Sequence, residues 1–279
     1  MDEPDHGRSG PPAPALSFAA VADAYDRARP TYPTEAVDWL VPGAAREVLE
    51  VGAGTGKLTE VLLTQGHRVL ATDPLAPMLR HLVRRAPGAG VAVAAAERIP
   101  LRARAVDTVV AAQSFHWFDL DRALPEIARV LRPGGHLSLT WNLRDERVPW
   151  VRRLGGLIGQ SDQHGQQSDP THALLASNLF GFVESTRFRF WQRLDRSRLR
   201  DLVMSRSNVA VLPTHEQQSL LVDVDGLYDE YGRGADGMLL PYVTHCYRAV
   251  VRPPAVEVEH EPDRTDDGGD ADALLIDFT

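Results

Sequence analysis

Residues 49–56 read Leu-Glu-Val-Gly-Ala-Gly-Thr-Gly, an apolar run with one acid, Glu50, followed by glycines at 52, 54 and 56. Glycine lets a chain turn sharply and lets a ligand approach where a Cβ would collide, and a helix starting just beyond offers unpaired N–H groups and the positive end of its dipole. Such a turn suits the polar part of a nucleotide-like molecule. Asp73 lies 19 residues beyond Gly54, at the end of the β-prone run His-Arg-Val-Leu-Ala-Thr. A carboxylate at that separation can accept hydrogen bonds from both hydroxyls of a ribose. It also precedes Pro74, and an Asp before a proline equally serves as a plain turn residue. His116 stands in the string Gln-Ser-Phe-His-Trp-Phe-Asp at 113–119, after the β-branched run 106–112. Imidazole titrates near neutral pH and can take a proton from a reacting hydroxyl.

Two familiar glycine loops do not fit. A phosphate loop needs a glycine five residues before Gly56-Lys57 and a hydroxyl after the lysine; Val51 and Leu58 occupy those places. A dinucleotide fingerprint counted from Gly52 puts its third glycine at 57, which is Lys57. The spacing therefore disfavours a dehydrogenase. An acid two places before Gly-x-Gly-x-Gly instead resembles the class I S-adenosylmethionine-dependent methyltransferases. Three further stretches carry the likeness: Ala-Ala-Glu-Arg-Ile-Pro-Leu at 95–101, the 113–119 string, and Arg-Val-Leu-Arg-Pro-Gly-Gly-His-Leu-Ser-Leu-Thr-Trp-Asn at 129–142. The 113–119 string resembles the small-molecule branch of that family, the methyltransferase type 11 domain group, whose relatives methylate carboxyl or hydroxyl groups.

The resemblance implies S-adenosyl-L-methionine as cofactor and a set of residues around it. Glu50, Gly52, Ala53, Gly54 and Gly56 would form the turn, and Asp73 would hold the ribose. Ala96 and Glu97 would lie along the adenine edge, with Met78 and Leu79 as apolar walls. The segment Tyr-Asp-Arg-Ala-Arg-Pro-Thr-Tyr-Pro at 25–33 resembles the amino-terminal stretch that folds over the cofactor in this branch, which would set Tyr25 and Arg29 over the methionine portion. An arginine fork matches a carboxylate there. Gln113 would reach the same amino-acid end. His116 is the candidate catalytic residue: a general base for a hydroxyl acceptor, a hydrogen-bond donor for a carboxylate, or a packed histidine with neither task. Phe115, Trp117 and Phe118 would wall the acceptor.

The elements that must position these residues are an alternation of strands and helices. Leu58, Val61 and Leu62 recur at helical spacing, as do Leu120, Leu124, Ile127 and Leu131. Helices are also expected over 18–27, 34–40 and 150–158, and from the spacing of Leu220, Val224, Leu227 and Tyr231. Strand patterns cover 136–141, 182–190 and 242–250. The expected fold is an α/β Rossmann-like sheet of seven strands in the order 3-2-1-4-5-7-6, the last strand antiparallel, with helices on both faces and a helical cap. The expected domain spans 17–252, with cap insertions at about 144–180 and 192–240. Tails at 1–16 and 253–279 are expected to be disordered, and 159–169 reads as a polar loop.

With 279 residues, 43% hydrophobic and 24% charged, the chain is long enough for one large α/β domain. Its formal charge of −8 is carried by nine acidic residues against one arginine from Glu257 onward; the remainder is balanced. That balance disfavours a nucleic-acid partner. No apolar window approaches a membrane span, so a cytoplasmic protein is expected. One cysteine, Cys246, cannot form an internal disulfide, and no Cys/His spacing suggests zinc. The expected activity is methyl transfer to an oxygen of a small organic molecule. The alternative is a subunit or regulator that binds the cofactor without turnover.

Overall fold

The computed structural model describes residues 29–159, 169–232, 234 and 237–253. Tyr25, the expected helix over 18–27, most of the polar loop and, apart from Pro253, both expected tails lie outside these residues. Seven strands form one sheet in the order β3-β2-β1-β4-β5-β7-β6. The parallel strands β1 (Glu47–Val51), β2 (Arg68–Asp73), β3 (Gly90–Val93), β4 (Val106–Ala112) and β5 (Leu131–Arg144) are joined to β7 (Met238–Val251), which is antiparallel to both β5 and β6 (Phe180–Leu194). This is the order the sequence predicts.

Consecutive side chains of a strand point to opposite faces. Val109 and Val110 are both fully buried because each face of β4 is covered, which is why parallel strands read as continuous apolar runs. Leu49, Val109, Leu137 and Leu139 pack with Leu124 and Ile127 of α4 (Leu120–Val130). On the other face, Val48, Val110 and Cys246 pack with Val37 and Leu40 of α1 (Thr34–Leu40) and with Leu58 and Leu62 of α2 (Lys57–Thr64). Between β2 and β3 runs α3 (Ala76–Arg85). The order in which strands are added to the sheet reverses between the parallel strands β1 and β4, the switch point where open α/β sheets form a crevice.

The Pro-Gly-Gly sequence expected to precede the fifth strand sits inside it. Val106 pairs with Leu131 and Thr108 with His136, so between these pairs one residue of β4, Asp107, faces four of β5, and residues 132–135 loop out as a wide irregularity. Gly135 closes it because a Cβ there would stand 2.8 Å from the Asp107 carbonyl oxygen.

A second core lies at the far end of β7. Leu154 and Ile158 of α5 (Pro149–Ile158), Leu199, Leu202 and Val203 of α7 (Arg196–Met204) and Val224 and Leu227 of α9 (Thr214–Tyr231) enclose Met238, Leu240 and Tyr242. α6 (Thr171–Ala176) instead packs on β6, and α8 (Ser207–Ala210) is a single turn between α7 and α9. Asp195 starts α7 by accepting the Arg198 amide at 2.7 Å, an N-cap of the usual kind. The helical content expected at 192–240 is therefore a compact layer on the end of the sheet.

Candidate active site

At the switch point β1 ends in Val51 and β4 in Ala112, and a cleft opens between the segments that follow. Glu50, Gly52, Ala53 and Gly54 line it from the first, Gln113 from the second, and Arg29 from the segment that crosses above. Six sequence-predicted residues thus meet in one place. Thr55, Lys57 and Asn142 line it too and were not singled out in the sequence. Asn142 could have been found, since it lies near the carboxyl end of β5, where ligand-facing residues of such sheets gather.

The glycines of the turn have different reasons to be glycine. At Gly52 a Cβ would stand 2.5 Å from the Ser114 Cβ, and Ser114 Oγ donates to the Val51 carbonyl at 2.9 Å, holding the ends of β1 and β4 together. A Cβ on Gly56 would meet Leu82 of α3 at 2.6 Å. Gly54, at φ +57°, has no atom of the described residues within 4 Å of that position. Its freedom therefore leaves room for something outside the protein. Gln113 is a non-glycine residue at φ +58°, a costly conformation that clusters at functional sites. Its amide donates Nε2–H to the Asn142 carbonyl at 3.2 Å, while its buried Oε1 has no partner among the described residues. An open backbone turn beside an unmatched acceptor fits a ligand with hydrogen-bond donors.

Glu50 is 1% exposed, and Thr59 Oγ1 donates to its Oε2 at 2.5 Å. Burial pushes its carboxyl up to about 8, reinforced by the nearby charge of Asp73 and opposed by the Thr59 bond. Asp73 is 7% exposed and receives two backbone amides, Gly54 N–H to Oδ2 at 2.9 Å and Leu75 N–H to Oδ1 at 2.8 Å. Burial raises its carboxyl too, and those two bonds pull the other way. The Leu75 bond is the turn expected of an Asp before proline. The Gly54 bond ties the same carboxylate to the glycine turn.

Asp73, Met78, Ala96, Glu97 and His116 do not line the cleft itself. Met78, Leu79 and Ala96 are buried, the last in the core with Ile99 and Phe115. Glu97 Oε1 accepts the Asp119 amide at 2.8 Å, linking the loop after β3 to the start of α4. His116 occupies the 3₁₀ turn Phe115–Trp117, its ring 4.7 Å from that of Trp117. Phe115, expected at the acceptor, is buried and packs edge-on against Phe118 and Trp141. The aromatic string divides accordingly: Phe115 anchors the turn in the core and Trp117 stays exposed. Among the described residues, no group of three or more His, Cys, Asp or Glu is placed to hold a metal ion, and no helix is long and apolar enough to cross a membrane.

Comparison with known proteins agrees with this geometry. Residues 49–139 match the model of a methyltransferase domain. An uncharacterized methyltransferase of Mycobacterium tuberculosis is 43% identical over 240 residues, covering 85% of this chain and 96% of the relative. A malonyl-[acyl-carrier protein] O-methyltransferase of Methylococcus capsulatus is 39% identical over 121 residues, 40% of this chain and 44% of that protein. A solved structure from Anaeromyxobacter dehalogenans, named a candidate type II methyltransferase, superposes with a TM-score of 0.58 at 26% identity, over 80% of this chain and 97% of that one. The chain belongs to the class I S-adenosylmethionine-dependent methyltransferases. It is an enzyme of that family, and S-adenosylmethionine is its cofactor.

Proposed function

We propose that the protein transfers a methyl group to an oxygen, carboxyl or hydroxyl, of a small organic molecule. The observation that carries this reading is the placement of Gln113: it leaves the carboxyl end of β4 to line the cleft, and the turn that follows is pinned by the Ser114 Oγ bond to the Val51 carbonyl. The segment resembles that of oxygen methylators, and one partial relative is named an O-methyltransferase.

On this reading Glu50, Gly52, Ala53, Gly54 and Gly56 cradle the cofactor, and Asp73 holds its ribose with the acceptor capacity left on its two oxygens. Met78, Ala96 and Glu97 bound the adenine, and Gln113 with Arg29 and Tyr25 meets the amino-acid end. Bound S-adenosylmethionine supplies a methyl that leaves a sulfonium as a neutral thioether is released, the acceptor's lone pair forming the new bond to carbon. The protein's part is positioning: it aligns the acceptor oxygen with the methyl and keeps water out, which removes much of the entropic barrier. A hydroxyl acceptor must lose a proton, and His116 is the base that takes it; a carboxylate acceptor needs none.

The test is a methyl-transfer assay with radiolabelled donor against a panel of small acids, phenols, alcohols and amines. Base-labile methyl esters or methyl ethers among the products support the proposal. Methyl found only on nitrogen or carbon overturns it.

A further inference from the structure

β5 runs on past the cleft. Alternation puts Asn142, which lines the cleft, and Arg144 on the same face, about 7 Å apart along the strand. Antiparallel pairing sets Thr244 opposite Asn142 and Tyr242 opposite Arg144. Thr244 Oγ1 donates to Asn142 Oδ1 at 2.7 Å, which fixes the near end of this row. Its far end meets the helical layer, where Arg206 precedes α8. Arg144 and Arg206 are each 5% exposed, and Tyr242 is 3% exposed with its ring stacked on Phe190 at a centroid distance of 5.2 Å.

The Tyr242 hydroxyl has no hydrogen-bond partner among the described residues. Burial holds its phenol above the ordinary range, so at neutral pH it is a donor; the charges of Arg206, Arg144 and Arg29 act on it in the opposite sense. Arg29 also lines the cofactor cleft, as does Asn142 at the near end of the row. Both buried arginines make contacts within the protein, and Arg144 Nη2 lies 3.7 Å from Glu146 Oε1. Buried ion pairs often add little or nothing to stability compared with apolar packing. Two buried guanidiniums whose charges act on a buried hydroxyl that has no partner among the described residues, one strand repeat beyond the cleft, suit the recognition of an anion.

We infer that Arg144, Arg206 and Tyr242 form an acceptor subsite that binds a carboxylate, and that the methyl acceptor is a small organic acid. This rests on the methyl-transfer reading above and adds a substrate class to it. The bound carboxylate is not the group that reacts. Oxygens that accept bonds from guanidinium and phenol have their lone pairs engaged and are poor nucleophiles. The reacting oxygen is a second one, nearer the cleft, as in a hydroxy acid or a dicarboxylic acid.

Calorimetry in saturating S-adenosylhomocysteine tests this with glutarate, malate, 3-hydroxybutyrate and salicylate, each beside its amide, and with glycerol 3-phosphate as a phosphate control. At least one acid is expected to bind, and at least tenfold more tightly than its amide or the phosphate ester. Tyr242→Phe, Arg144→Gln and Arg206→Gln should each weaken that acid at least tenfold while S-adenosylhomocysteine affinity stays unchanged. Tyr242→Phe removes only an unpartnered hydroxyl, so it remains informative should an arginine variant not fold. The inference is overturned if no acid binds, if amide or phosphate ester binds as well as the acid, or if Tyr242→Phe leaves acid affinity intact. Methyl placed on nitrogen or carbon of an acid whose binding still depends on Tyr242 would end the oxygen-transfer reading and leave the subsite standing.

Discussion

The backbone N–H of Gly54 donates to Asp73 Oδ2 at 2.9 Å, so the glycine turn after β1 and the acid at the end of β2 are one unit rather than two neighbouring features. Asp73→Ala removes the acceptor of two backbone N–H hydrogen bonds at once and is expected to weaken S-adenosylhomocysteine binding by about 1–3 kcal/mol. Asp73→Asn keeps an acceptor oxygen and should lose less. Calorimetry that finds Asp73→Ala at wild-type affinity would remove Asp73 from the cofactor site.

Gly52 and Gly54 should respond differently to the same substitution. Gly52→Ala drives a methyl into Ser114 and is expected to lower the melting temperature, an effect that adding Ser114→Gly partly relieves. Gly54→Ala meets no atom of the described residues and carries only the left-handed backbone cost of about 1–2 kcal/mol, but fills the open side of the turn. It should lose cofactor affinity out of proportion to its loss of stability. Thermal denaturation and calorimetry on the same samples separate the two effects.

Glu50 makes the stability of the cofactor-free protein depend on pH. The folded protein keeps this carboxyl protonated up to about pH 8, whereas the unfolded chain releases the proton near the ordinary carboxylate value of 4.5. Between these limits the native state holds the extra proton, so its stability falls as pH rises through the window, by on the order of a few kcal/mol. Glu50→Gln should flatten that part of the profile. An unchanged slope in denaturant titrations from pH 5 to 8 would contradict the assignment.

His116→Gln distinguishes acceptor chemistries. With a hydroxyl acceptor, kcat is expected to drop about 10²- to 10⁴-fold and the rise of rate with pH to disappear. With a carboxylate acceptor the change should stay within a few-fold. Equal losses for both acceptors would mean that His116 positions the turn rather than moves a proton.

The parallel half of the molecule was legible in the sequence because its signals are local. Glycine spacing marks the turn after β1, Asp73 closes β2 at the expected separation, and apolar runs mark strands covered on both faces. Two things were not legible. Whether a glycine yields to a ligand or to another side chain depends on contacts such as Gly52 with Ser114, which only the folded sheet creates. The row of Arg144, Arg206 and Tyr242 joins residues scattered along the second half of the chain, and only the antiparallel register of β5 with β7 brings Tyr242 opposite Arg144. Within the 113–119 string, composition alone could not tell that Phe115 faces the core while Trp117 faces solvent.

β6 and β7 are 15 and 14 residues long, against 4 to 7 for β1 to β4. The surplus is a cantilever: it carries the α5, α7 and α9 core beyond the donor half without sharing that half's packing. Residues out on this overhang can be exchanged at small cost to the hub, so lineages, or an engineer, can retune which compound is modified while the methyl supply stays intact.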